Sequence, residues 1–300
     1  MFMARQRPLE RGTPVRRTSR RNASRLGTLE RRYEFHVGEA IRAAFEGSRD
    51  KAATHSGLAL SISRELCEAA PDPARHQPEL AAALCAHARY GDTPLDAIAL
   101  LTESAGHYAA LAQVDPALYE VPRIDVLTRV AVASDEAGNT GGAISLLREV
   151  VGMYLKAPAA DPAELDVGLA RARFHLGRCL LKTGAAADGL AEIDAGLELA
   201  DGALGRLRLP VHHPGWLGAA PRYLQLAAPD WAAAAVRAMT LHATAGQWDS
   251  AAAAAGAAVL LSGGLAGLGG DQLRAAHEAV RDQADAIFAR AEYPQRMAAG

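Results

Sequence analysis

Cationic side chains recur on one predicted helix of this 300-residue chain. Arg171, Arg178 and Lys182 lie at positions i, i+7 and i+11, and this spacing places all three on one face of an α-helix. Guanidinium groups favour carboxylates and phosphates, because their planar fork of N–H donors matches a pair of acceptor oxygens. Arg129 on the preceding predicted helical segment and Arg237 on a later one extend the same stripe. The spacing therefore predicts a surface that binds acidic groups.

The same cations also allow a plainer interpretation, in which they lie on a solvated helix face. Asp125, Asp135 and Glu136 belong to the neighbouring segment and would neutralise the stripe from there. Ion pairs on exposed faces contribute little to stability and indicate no function. The sequence alone leaves both interpretations open.

No catalytic or metal-binding motif accompanies this stripe. His212 and His213 are adjacent, and no second pair of ligands at metal-binding spacing supports them. A glycine-rich run at 263–270 has neither a preceding strand nor the Lys-Ser or Lys-Thr pair of a phosphate-binding loop. No Gly-x-Ser-x-Gly elbow occurs. We expect a protein that is not an enzyme and holds no cofactor and no metal.

Cysteine usage and hydropathy favour the cytoplasm. Cys67, Cys85 and Cys179 are odd in number and scattered, which is typical of reduced thiols in cytoplasmic proteins. The eighteen uncharged residues 251–268 are mostly alanine and glycine, so we predict a buried helix there and no membrane span. No targeting segment is indicated at the N-terminus.

A repeated tripeptide indicates how the chain is organised. Asp-Pro-Ala begins at Asp72, Asp115 and Asp161, in steps of 43 and 46 residues. Asp can cap the free amides of a first helical turn, and Pro fits the first helical position. Each copy is followed by a helical segment, a turn and a second helical segment. The turn residues are Gly47, Asp92, Gly138, Gly184 and Gly246. A fixed period of this length predicts a solenoid of stacked helical hairpins.

The clearest copy carries a pattern of large, small and turn residues. Its members are Leu176-Gly177, Leu180, Gly184, Gly189-Leu190, Ile193 and Leu197, with a second match at Gly246-Gln247-Trp248, Ala251 and Ala258. These residues resemble the tetratricopeptide repeat (TPR) family, over roughly residues 33–262. The period is nearer 46 than the usual length of about 34, so the resemblance is to the long-period branch found among repeat proteins of high-GC bacteria. Arg173 departs from the pattern, since the family prefers a bulky apolar residue there.

The resemblance implies an all-α fold, a right-handed α-solenoid of about five helical hairpins with a C-terminal capping helix. It further implies that the first helix of each hairpin faces a concave groove. In that family the groove holds peptides, commonly through cations that bind a carboxylate.

Three segments depart from the repeat. Residues 1–32 hold ten arginines against two acidic residues and almost no apolar ones, which predicts a disordered basic arm. Residues 201–230 contain four prolines and predict an irregular insertion, with Trp216 either exposed as a binding anchor or packed on the adjacent repeat. Residues 263–300 are predicted to form a glycine-rich hinge, the capping helix and a tail.

The favoured function is a non-catalytic scaffold or adaptor for protein–protein interaction, which binds a peptide or a protein helix in the solenoid groove. We expect an acidic protein or peptide partner and no membrane, and a nucleic acid only if the basic arm binds one. The candidate peptide-binding residues are Arg129, Arg171, Arg178, Lys182, Arg237 and Trp216. Two alternatives remain, a peptide- or ligand-sensing regulatory domain of a transcription regulator and a helical enzyme without a recognisable motif. A helix-turn-helix would favour the regulator, and the first 70 residues show none.

Overall fold

The computed structural model describes residues 15–90, 93–159, 161–209, 211, 216–268 and 271–298. All regular secondary structure in these ranges is helical. The α-helices are α1 (Val15–Phe45), α2 (Arg49–Ala69), α3 (Gln77–His87), α4 (Pro94–Val114), α5 (Pro116–Glu136), α6 (Thr140–Tyr154), α7 (Pro162–Lys182), α8 (Ala186–Leu207), α9 (Arg222–Thr244), α10 (Trp248–Ala266) and α11 (Asp271–Ala298). Short 3-10 helices cover Pro73–His76, Ala88–Tyr90 and Trp216–Ala219.

Consecutive helices pair into hairpins, and the hairpins stack. The paired helices are α1 with α2, α3 with α4, α5 with α6, α7 with α8 and α9 with α10. Each second helix packs on the first helix of the next hairpin, and the first helices α5, α7 and α9 also contact one another in sequence. Helix α11 lies on α10 and covers the end of the stack. The predicted all-α solenoid of helical hairpins with a capping helix is confirmed.

Glycine forms the turns because the backbone there is left-handed. Gly47, Gly138, Gly184 and Gly246 have φ angles of 73°, 88°, 85° and 75°, a region that side chains with a Cβ seldom enter. Each of these glycines joins the two helices of one hairpin. Asp92, the fifth predicted turn residue, lies outside the described residues.

Asp-Pro-Ala starts a helix in all three copies. The Asp115 side chain accepts a hydrogen bond from the Leu118 backbone amide (3.2 Å) at the start of α5, and Asp161 accepts one from the Ala163 amide (2.9 Å) at the start of α7. Asp72 caps the 3-10 helix Pro73–His76, which leads directly into α3. The capping role predicted for the tripeptide is confirmed.

Helices α7 and α8 approach each other closely at two glycines. A Cβ on Gly177 would lie 2.5 Å from the Gly189 carbonyl oxygen, and a Cβ on Gly189 would lie 2.8 Å from the Gly177 carbonyl oxygen. Neither backbone can retreat without moving its helix. The small residues of this pattern are therefore required by the packing of the hairpin.

The predicted disordered arm is wrong from residue 15 onward. Helix α1 begins at Val15, and Leu29 is buried against Ile62 and Leu66 of α2. Arg25 also forms an ion pair with Glu65 at 2.5 Å. The few apolar residues of this segment share one helix face, which its strongly basic composition conceals. Residues 1–14 lie outside the described residues.

The other two predicted departures are shorter than expected. Helix α8 continues to Leu207, and α9 begins at Arg222 and contains Pro229. Both ends of the predicted insertion are therefore helical, and the short helix Trp216–Ala219 lies between them. Gly263 and Gly264 belong to α10, so the predicted glycine-rich hinge does not begin at residue 263.

Helix α10 is the one helix in the described ranges that is long and apolar enough to cross a membrane by length and composition. Its mean hydropathy over the relevant window is 1.3, and 44% of that window is buried inside the protein. It packs between α9 and α11 as the second helix of the last hairpin, which is the place predicted for it.

We expect Gly177→Ala to destabilise the protein by about 1–3 kcal/mol, because the added methyl group would meet the Gly189 backbone. Gly152→Ala in α6 is the matched control, since a Cβ there meets nothing within 4 Å. The control should be neutral or stabilising by up to about 1 kcal/mol, since alanine is the better helix former. Urea unfolding of both variants measures the difference. Equal stabilities would contradict the close approach of α7 and α8.

We expect Leu29→Ala to lower the free energy of unfolding by about 2–4 kcal/mol, as for other buried leucines. Leu58→Ala is the control, because that side chain is 39% exposed and should lose far less. Thermal unfolding of the two variants provides the comparison. An unchanged melting temperature for Leu29→Ala would show that α1 does not pack as described.

Candidate functional site

A chain of alternating charges crosses the first helices of three successive hairpins. Asp125 and Arg129 lie on α5, Arg171 and His175 on α7, and Asp230 on α9. The residues on α5 and on α7 are each four apart, so each pair shares a helix face. Asp125 and Arg171 are separated by 46 residues, one repeat, and thus hold equivalent positions in adjacent hairpins. We call these five residues the charge ladder.

Arg171 is the centre of the charge ladder. One of its terminal nitrogens lies 2.6 Å from Asp125 Oδ1, and its Nε lies 3.9 Å from Asp230 Oδ2. Arg129 Nε donates a hydrogen bond to Asp125 Oδ2 at 3.0 Å. His175 Nε2 lies 3.5 Å from Asp230 Oδ2. Contacts between charged groups thus join α5, α7 and α9.

The charge ladder combines a buried cation with partly accessible carboxylates. The Arg171 side chain is only 7% exposed, whereas Asp125 and Asp230 retain 26% and 38% of their side-chain area in contact with solvent. Burial alone would raise the pKa of Asp125, but Arg171 and Arg129 outweigh it and hold that pKa below its usual value. Burial likewise opposes ionisation of Asp230, and His175 and Arg171 together hold its pKa below the usual range. Both carboxylates are therefore charged at neutral pH.

A third arginine lies near the charge ladder without a counterion. Arg89, at the end of α3 in the short helix Ala88–Tyr90, is exposed, and no hydrogen bond or ion pair joins it to another described residue. Crowding by protein atoms lowers its pKa, and repulsion from Arg129 and Arg171 lowers it further. Burial lowers the pKa of His175, so that imidazole is neutral at neutral pH. Three guanidinium groups (Arg89, Arg129 and Arg171) therefore accompany the two carboxylates Asp125 and Asp230.

One donor inside the charge ladder has no acceptor. Arg171 Nε is buried and makes no hydrogen bond to the described residues, since Asp230 is too distant at 3.9 Å. A buried N–H group without a partner is costly, by about 1–3 kcal/mol. An anionic group entering between α7 and α9 would satisfy it.

The predicted binding residues divide between two places. Arg129 and Arg171 come together in the charge ladder, as described above. Arg178 and Lys182 lie on the same face of α7 but converge on the buried Asp135 near the end of α5, at 3.4 Å and 2.5 Å. The Asp135 carboxylate also accepts a hydrogen bond from the Thr140 hydroxyl at 2.8 Å. The structure thus gives these two cations a role in fixing the turn between α5 and α6.

The remaining two predicted residues lie outside the charge ladder. Arg237 is exposed on α9 and has no ion-pair partner among the described residues. Trp216 is buried, and its ring packs against Gly264 of α10. A Cβ added to that glycine would lie 2.7 Å from the ring. Trp216 therefore anchors the connection to α9 on the last hairpin, and the expectation that it contacts a peptide is wrong. His212 and His213 lie outside the described residues.

The sequence analysis did not identify the ladder residues His175 and Asp230 or the nearby Arg89. The repeat carried a signal for His175, which follows Arg129 by 46 residues, whereas Arg89 precedes Arg129 by only 40 and does not fit the period. Asp230 was hidden by the long insertion, which changes the period before α9.

The cysteines offer no activated thiol at this site. Cys67, Cys85 and Cys179 are free thiols. Burial raises the pKa of Cys85 even though Arg129 lies nearby, so this thiol remains protonated. Within the described ranges no group of three or more His, Cys, Asp or Glu residues is arranged to hold a metal ion. The chemistry that the charge ladder supports is the binding of an anion.

Comparison with known proteins gives structural likeness only. No protein-family model matches the chain, and no curated protein matches it significantly. Among solved structures, BtubC (BKLC) from P. vanneervenii is 14% identical with a TM-score of 0.47, covering 84% of this chain and 93% of its own. The apo form of RapI is 14% identical with a TM-score of 0.42, covering 87% of this chain and 85% of its own. Likenesses this distant carry no argument about function.

We expect Asp125→Asn to destabilise the protein by about 1.5–3 kcal/mol at neutral pH, because Arg129 and Arg171 lose their shared counterion. The folded-state pKa of Asp125 is depressed, so its contribution is complete above the unfolded value of about 3.9 and disappears as pH falls through the folded value. The difference between wild type and variant should therefore be constant from about pH 7 to pH 5 and shrink below about pH 4.

Urea unfolding at several pH values measures this difference. Asp282→Asn on the exposed face of α11 is the control and should change stability by less than about 0.5 kcal/mol. A difference between wild type and Asp125→Asn that persists unchanged at about pH 3 would contradict the ion pairing.

Proposed function

We propose that this protein is a non-catalytic interaction scaffold of the cytoplasm, which binds an acidic peptide or protein segment along the first helices of its hairpins. The observation that carries the proposal is the unsatisfied Arg171 Nε at the centre of the charge ladder, together with the unpaired Arg89 beside it. The fold supports the same function, because stacked hairpins present an extended surface to which several repeats contribute. The repeat pattern further supports a place in the long-period branch of the TPR family.

The charge ladder is suited to a ligand carboxylate. A carboxylate between α7 and α9 would accept from Arg171 Nε and bring a counter-charge to Arg89. The ladder carboxylates Asp125 and Asp230 keep the arginines extended when no ligand is bound, so little side-chain entropy is lost on binding. A ligand that lacks a negative group is disfavoured, because it would cover Arg171 Nε and Arg89 without supplying a counter-charge.

Arg89 provides the sharpest test, because it is exposed and its removal breaks no ion pair among the described residues. A random dodecapeptide library displayed on phage would first be selected on the wild-type protein. We expect enrichment of acidic peptides whose affinity falls as salt is raised. Arg89→Gln should weaken the best of them about tenfold or more, the loss of one charge-assisted hydrogen bond of about 1.5–3 kcal/mol. Fluorescence anisotropy with the labelled peptides measures this loss.

Arg148→Gln on the exposed face of α6 is the matched control and should leave the affinities unchanged. Circular dichroism should show all three proteins equally helical. If no peptide is enriched, or if enriched peptides are not acidic and bind Arg89→Gln as well as wild type, the proposed function fails.

A further inference from the structure

A cavity of about 470 Å³ opens on the same groove, beside the charge ladder. Its walls include Tyr108, Tyr119, Pro122, Glu79 and Glu164, and Tyr33 of α1 closes one side. The lining contains two carboxylates and no basic residue. We call this space the tyrosine–glutamate cavity.

The tyrosine–glutamate cavity and the charge ladder lie along the same helix faces. Glu164 precedes Arg171 by seven residues on α7, and Pro122 precedes Arg129 by seven on α5. Seven residues are two helical turns, which return a side chain to the same face about 10 Å along the axis. A ligand that lies along these helices therefore meets both places.

Neither glutamate of the cavity forms an ion pair with a lysine or arginine among the described residues. No hydrogen bond or ion pair joins the Glu164 carboxylate to a described residue, and the charged groups that act on it, Asp161 and Asp125, are negative. Burial raises the pKa of Glu164, and those two carboxylates raise it further. Glu79 Oε2 is buried without a hydrogen-bond donor, and Glu79 Oε1 has only a 3.9 Å contact with His76 Nδ1. The cavity thus contains two carboxylates without a close lysine or arginine counterion among the described residues.

The other walls of the cavity suit the remainder of a basic side chain. Aromatic faces attract an ammonium or guanidinium group, with a contribution of about 0.5–2 kcal/mol depending on burial. Leu118 and Pro122 are apolar and lie on the same side of α5, where the methylene stem of a lysine or arginine would contact them. An acidic residue of a ligand would be repelled from this place.

We propose that the tyrosine–glutamate cavity binds a lysine or arginine side chain of the same peptide whose acidic group occupies the charge ladder. This inference rests on the proposed function and specifies its ligand. An extended peptide advances about 3.3 Å per residue, so the separation of about 10 Å corresponds to a basic and an acidic residue about three positions apart. The groove therefore selects a segment with both charges at a set spacing, and a uniformly acidic segment fits it less well.

The peptides selected from the dodecapeptide library provide the test. We expect the enriched sequences to contain Lys or Arg three positions from Asp or Glu, in one direction along the peptide. Substituting that basic residue by norleucine should weaken binding to the wild-type protein about tenfold. The double variant Glu79→Gln/Glu164→Gln should bind the parent peptide equally weakly, and the norleucine substitution should then cost little more. This double-mutant cycle measures the interaction energy between the cavity glutamates and the basic residue of the peptide.

Glu136→Gln/Glu149→Gln is the control of equal net charge, because both residues are exposed and lie outside the lining of the cavity. It should bind all peptides as the wild type does.

Acidic peptides that are enriched without a basic residue, and that bind the cavity variant as well as wild type, would overturn this inference and leave the proposed function standing. Failure to enrich any acidic peptide would overturn both. If the cavity variant is less helical than wild type, Tyr119→Leu takes its place, and an unchanged affinity would again overturn the inference.

Discussion

The close approach of α7 and α8 at Gly177 and Gly189 is the constraint on which the geometry of the groove depends. Backbone meets backbone there, so the spacing of the two helices is set by the absence of side chains. That spacing holds α7 between α5 and α9, where Arg171 reaches carboxylates on both sides. A larger separation within the hairpin would displace α7 and break one of these contacts. The packing of small residues and the position of the charged groups are thus parts of one arrangement.

Local signals allowed most of the fold to be predicted from the sequence. Left-handed glycines and the Asp-Pro caps depend on the chemistry of a few adjacent residues, and both are in their predicted places. The part of helix α1 before residue 33 was missed because its apolar residues, such as Leu26 and Leu29, are few among many arginines. These two leucines are three residues apart and Tyr33 follows four residues later, which places them on one face, and a partner helix is needed to reveal its use.

Non-local contacts decided the remaining features. Pro229 lies within α9, although proline removes a backbone hydrogen bond there, since the surrounding residues of α9 are buried in a core shared with α7, α8 and α10. Trp216 is buried because Gly264, almost fifty residues later, leaves room for its ring. In the site, periodicity correctly placed Arg171, Arg178 and Lys182 on one face, but it could not show which carboxylate each would meet. Asp135 attracts two of them because it is buried and requires counterions.

The alternation of Asp125, Arg171 and Asp230 makes the third, fourth and fifth hairpins chemically different from one another, although all three are built from two paired helices. In an array of identical repeats, any unit can be duplicated, deleted or exchanged with its neighbour. Here a duplicated fourth hairpin would place two buried arginines side by side, and a deleted third hairpin would remove the carboxylate that lies 2.6 Å from Arg171. Such rearrangements would be disfavoured by electrostatics before any ligand was involved. The order of these central hairpins is therefore favoured by charge as well as by shape.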